Sequence, residues 1–114
     1  MTGVTLLALA ACADNAAEEM QPGFEMLSSR NYAGAEAYFA DAVAEDPENA
    51  YAHLNLAVAH QAQGDIAMAR EHYQTAIAHG EGVPTGQTTY EGQVKTEEST
   101  VAAVAAYNLS NLPQ

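Results

Sequence analysis

Between residues 31 and 79 the apolar positions recur with helical spacing. Ala35, Phe39, Ala42 and Val43 stand four, three and one apart, which places them on one face of a helix. At an offset of 34 residues, Ala69, Tyr73, Ala76 and Ile77 repeat the set, and Asn31-Tyr32 match Asp65-Ile66. Alanines on such a face let a neighbouring helix approach closely, and the aromatic fills the remaining gap. The breaks between apolar stretches are equally regular. Asp46-Pro47-Glu48-Asn49 ends one helix, because Pro47 cannot continue it, and starts the next, because Asn49 is a good N-cap. Gly64-Asp65 supplies a turn where glycine accepts the positive φ of a helix end. The pattern predicts two antiparallel helix pairs, over 22–46 and 49–79.

The flanks are less regular. Pro22 suits the first turn of a helix, leaving Gly23 to Ser29 for about two turns. Arg30 then stands where the next pair has its turn glycine, Gly64. After His79 the stretch "EGVPTGQTTYEGQVKTEES" carries glycine and proline that break helix. Thr88-Thr89-Tyr90 and Gln93-Val94-Lys95 flank Glu91-Gly92, the arrangement of a small hairpin. Glu97, Glu98 and Ser99 suit a helix start. The expected fold is all-α: a short solenoid of antiparallel helix pairs, an irregular loop over 80–97, and a capping helix over 98–112.

A 34-residue period with alanine, an aromatic four on and alanine three on resembles the tetratricopeptide repeat (TPR). The segment from Asn49 to His79 carries the resemblance best, with Leu56-Ala57 in place of the family's Leu-Gly pair. His53 and His60 depart from the aromatics usual at those positions. Near the C-terminus, Tyr107-Asn108-Leu109 echoes Leu54-Asn55-Leu56, as the first helix of a third repeat would. The resemblance implies a concave groove lined by first helices, here Tyr51, Leu54, Asn55, Val58 and Gln61, with Asn108 from the last helix. Such a face suits a protein or peptide partner laid across it. The alternative use of the face is packing the chain's own terminal helix, or forming a homodimer. The 80–97 loop is a second candidate binding element, because solenoid insertions often contact partners; Tyr90, Val94 and Lys95 are its candidate residues. The competing reading of this loop is a connector with no binding role.

The N-terminal stretch "VTLLALAACAD" has a different character. Val4 to Ala11 is a continuous apolar run, too short to span a bilayer and of the length of a signal-peptide core. It ends Leu9-Ala10-Ala11-Cys12, which resembles the lipobox of bacterial lipoproteins, although the three residues before the run carry no basic charge. The resemblance implies a signal peptide over 1–11, lipid attachment (diacylglycerol and palmitate-type acyl chains) at Cys12, and a polar tether over 12–21 ahead of the domain at 22–112. Two or more acyl chains make a stable anchor. Ala13 rather than aspartate follows the cysteine, which by the same resemblance favours the outer membrane, facing the periplasm, over the inner membrane. The competing reading is a buried cysteine in an N-terminal helix.

Charge narrows the choice of partner. The chain has 114 residues and a formal net charge of −12, with 15 acidic residues against three Lys and Arg. Nucleic acid is not an expected partner, because phosphate contacts need clustered basic side chains. The anionic lipid surface is disfavoured too, so a membrane is approached through the anchor. A lone cysteine makes no internal disulfide. His53 and His60 are seven residues apart, as are His72 and His79, and neither pair has the i, i+4 spacing that lets two imidazoles share a metal. No nucleophile or phosphate-loop motif occurs. The expectation is a non-enzymatic adaptor without a cofactor, lipid-anchored in the bacterial envelope and serving envelope, pilus or secretion assembly. The alternative is a small metal-handling or enzymatic helical protein using His53 and His60.

Overall fold

A computed structural model describes residues 19–84 and 100–113. The described residues form helices α1 (Gln21–Ser28), α2 (Tyr32–Glu45), α3 (Ala50–Ala62), α4 (Ile66–His79) and α5 (Val101–Ser110). Each helix packs against the next in the chain, and α5 also reaches α3. The fold is an all-α solenoid of adjacent helix pairs. The expected leader and residues 12–18 of the expected tether lie outside the described residues, and so does the hairpin expected around Glu91-Gly92. At the tether's far end Met20 is buried in the core and Gln21 opens α1, so the helical domain starts earlier than the expected residue 22.

The polar residues at the breaks set the helix starts. Asn31 accepts a hydrogen bond from Gly34 N at 3.0 Å, Asn49 from Ala52 N at 3.1 Å, and Asp65 from Met68 N at 3.3 Å. Each side chain thereby satisfies one of the amides that the first turn leaves open. Thr100 does the same for α5, its hydroxyl accepting from Ala103 N at 3.1 Å. That cap explains why the last helix starts at Val101, later than the position 98 expected from the acidic residues before it.

The two helix pairs turn in the same way. Asn31 N donates to Met26 O and Asp65 N to His60 O, both at 2.8 Å. Arg30 N donates to Leu27 O and Gly64 N to Gln61 O, both at 3.0 Å. These bonds form a Schellman cap, which needs a left-handed residue just past the helix end. Gly64 supplies it at φ 86°, and Arg30 is forced into the same region at φ 67°. A side chain there costs about 1–2 kcal/mol. Arg30→Gly is therefore expected to stabilise the fold by about 0.5–1 kcal/mol after the greater chain entropy of glycine is subtracted. Thermal unfolding should show a Tm rise of roughly 2–5 °C.

Alanine-for-closeness and aromatic-for-filling describe the core. Ala35, Phe39, Ala69, Tyr73 and Ala76 are all fully buried. Phe39 meets Tyr38 edge-on, with ring centroids 5.4 Å apart, and Phe24 of α1 at 6.1 Å. Helix α3 is the centre of the stack: Ala50 through His60 are buried without interruption. Its sequence is nearly free of charge, which fits a helix with neighbours on several sides.

Candidate functional site

The residues expected to line a groove occupy the most enclosed helix. Tyr51, Leu54, Asn55 and Val58 are each at most 7% exposed. Asn55 donates its side-chain amide to Tyr51 O at 2.8 Å, one turn back in α3. The Tyr51 hydroxyl donates to Pro84 O, across the turn that follows α4. Gln61 and Asn108, at opposite ends of the expected groove, converge on one atom. The Tyr73 hydroxyl donates to Gln61 Oε1 at 2.6 Å, and the Asn108 side chain lies near enough to the same phenol to favour its charged form. Burial pushes the Tyr73 phenol far above its ordinary value of 10, and the Asn108 side chain pulls it partly back. The folded chain holds that proton more tightly than the unfolded chain does. This part of the stability is present below about pH 10 and lost as the pH rises above it. These residues bind helices α3, α4 and α5 and the turn after α4 to one another.

Three histidines meet on the other side of α3. His53 and His72 have Nδ1 atoms 3.0 Å apart and stacked rings, centroids 5.2 Å apart. His60 lies parallel to His72, at 2° between planes and 5.6 Å between centroids. His53 Nε2 is 2.8 Å from Pro47 O. A carbonyl only accepts, so that nitrogen carries the proton and His53 Nδ1 offers a lone pair. His72 Nδ1 then donates to it. His60 has two carboxylates beside it, with Asp65 Oδ2 at 3.5 Å from Nδ1 and Glu36 Oε2 at 4.0 Å from Nε2. Gln63 Nε2 donates to Glu36 Oε1 at 2.7 Å and keeps that side chain near. His79 is exposed at the end of α4 and stands apart. Among the described residues, no three His, Cys, Asp or Glu side chains are placed to hold a metal ion together.

Sequence spacing pairs His53 with His60 but does not show that His72 sits between them. The signal was present in the hairpin. Folding the chain back at Gly64 brings the middle of α4, where His72 lies, level with the middle of α3, between His53 and His60.

The insertion after α4 begins and ends at one point. Val101 N donates to Val83 O at 2.8 Å, and Ala102 N to Gly80 O at 3.2 Å. Pro84 and Thr100 form an isolated antiparallel bridge. The residues between, including Tyr90, Val94 and Lys95, lie outside the described residues, as does Cys12.

Comparison with known families rests on the same region. A family model of the tetratricopeptide repeat matches residues 26–84, just over half of the chain. The chain belongs to the tetratricopeptide repeat family. Neither the curated proteins nor the solved structures contain a significant match. The matched TPR segment runs from within α1 through α4 to the turn at Pro84, so it contains both Schellman turns and both aromatic core positions. Helix α5 lies beyond it and packs where the first helix of a following TPR unit would. TPR units are protein-interaction scaffolds, and this chain carries that architecture.

Proposed function

We propose that the protein is a lipid-anchored adaptor on the periplasmic side of the bacterial outer membrane, holding a protein partner during assembly of an envelope, pilus or secretion structure. The observation that carries the adaptor reading is the TPR helix stack itself, a fold that offers helix faces and connecting segments to other proteins. The anchor rests on Leu9-Ala10-Ala11-Cys12 and the abrupt polar change after it. A thiol is the nucleophile that a lipid transferase can alkylate, and small residues before it give a peptidase access to the backbone.

Charge and burial narrow how the partner is held. A chain of net charge −12 favours a cationic or neutral partner. Tyr51, Leu54, Asn55 and Val58 are covered, so a partner reaching them has to displace what covers them. Tyr90, Val94 and Lys95, in the sequence between Pro84 and Thr100, are the contacts we favour.

Cys12→Ser is expected to move the protein from the membrane fraction to the soluble fraction on cell lysis. Intact mass of the membrane-extracted wild-type protein is expected to show a chain that begins at an acylated Cys12. A retained, unacylated leader would sink the anchor, and with it the location. Pull-down from the same extract then identifies the partner.

A further inference from the structure

The column of imidazoles has chemistry that an adaptor fold does not require. His53 and His60 come from α3 and His72 from α4, so the rings bridge the two helices of the central repeat. The bridge is built for neutral rings. His53 Nε2–H is held by Pro47 O, His53 Nδ1 accepts, and His72 Nδ1–H donates. One proton between the two Nδ1 atoms makes a hydrogen bond. An added proton on His72 enters at Nε2 and sets a positive charge against two stacked imidazoles; a further proton on His53 Nδ1 would make both rings positive and set two N–H groups against each other at a 3.0 Å separation. On its other face His72 meets His60, which has Asp65 and Glu36 as neighbours.

We propose that the His53–His72–His60 stack is an acid-sensitive clasp: it joins α3 to α4 when the rings are neutral and loosens the joint when they take up protons. The groups facing His72 can be named element by element. From α3 come His53 and His60. Beside His60 stand Glu36 from α2 and Asp65 from the α3–α4 turn. Glu71 is its neighbour within α4, and α5 has no charged side chain between Val101 and Ser110. Of these, Glu71 favours the charged form of His72. Burial foremost, then His53 and His60, hold the His72 imidazole below its ordinary value of 6.5, and Glu71 offsets this in part. The unfolded chain therefore binds the proton more readily than the folded one. The clasp's stabilisation is complete above about pH 6.5 and is lost as the pH falls below that value.

The test uses the full chain. Thermal unfolding is measured at pH 7.5 and pH 5 for wild type and for His72→Gln, whose amide can still donate to His53 Nδ1 without titrating. The wild-type Tm is expected to drop by roughly 5 °C more than the variant's over this interval. Equal drops in the two proteins would overturn the clasp. Should His72→Gln fail to fold, NMR titration of the wild-type imidazoles decides the matter. His72 is expected to take up its proton at lower pH than a histidine in an unstructured peptide, and to perturb the His53 and His60 signals as it does so. Titration of all three rings as independent, peptide-like histidines would overturn it equally.

Discussion

Tyr73→Ala is expected to lower the free energy of unfolding by about 3–5 kcal/mol, the range for removing a fully buried aromatic ring. That is a large share of the roughly 5–15 kcal/mol typical of a folded domain. Tyr73 has no exposed surface, and its hydroxyl holds Gln61 of α3 with Asn108 of α5 beside it. Truncation therefore opens a cavity and leaves the Gln61 side chain without its partner. Tyr73→Phe separates the two effects, because it keeps the ring and deletes only the hydroxyl. Its expected cost is about 1–2 kcal/mol. Phe39, at the equivalent place one repeat earlier, shows that a phenylalanine ring fits this core position. Urea unfolding followed by circular dichroism reads both variants. Equal losses from Tyr73→Ala and Tyr73→Phe would mean that the ring does not fill the space between the helices.

The second large effect is expected at the end of α4. Gly80→Val should destabilise the fold by about 1–3 kcal/mol through overpacking, or more where backbone has to move. A Cβ built on Gly80 would lie 2.4 Å from Ala76 O and 2.8 Å from Ala102 N, both backbone atoms, and 3.0 Å from the Val101 side chain. The Gly80 carbonyl also accepts the bond from Ala102 N. Any shift that relieves the clash pulls α5 away from α4. Hydrogen exchange at the α5 amides is the sensitive readout, and these should lose protection before those of α2. Protection lost evenly along the chain would show that the damage is not local to this junction.

The repeat core was legible because it is written in local terms. The alanine and aromatic spacing, the capping residues Asn31, Asn49 and Asp65, and the turn position shared by Arg30 and Gly64 all follow from the sequence and its 34-residue offset. These features depend on neighbours three or four residues away, where helical geometry fixes the relation. What stayed hidden depends on how far elements enclose one another. Periodicity could place Tyr51, Leu54 and Val58 on one face of α3, but could not tell a face lining an open groove from one that is covered. The burial of Ala50 through His60 follows from how its neighbours enclose α3. The start of α5 was misplaced for a smaller reason. Acidic residues suit a helix beginning, yet the hydroxyl of Thr100 makes the cap, and a hydroxyl cap is a stronger local determinant than charge near the terminus. The histidine stack lies between these cases, with each member visible alone and their meeting visible only once α3 and α4 are folded together.

The bonds joining Gly80, Val83 and Pro84 to Thr100, Val101 and Ala102 fasten the helical stack on both sides of the insertion. The position of α5 is therefore set by those backbone bonds together with the packing of Val101 and Ala105 against the helices beside it. Such a site can change in evolution, or accept a foreign peptide, at little cost to the helices below.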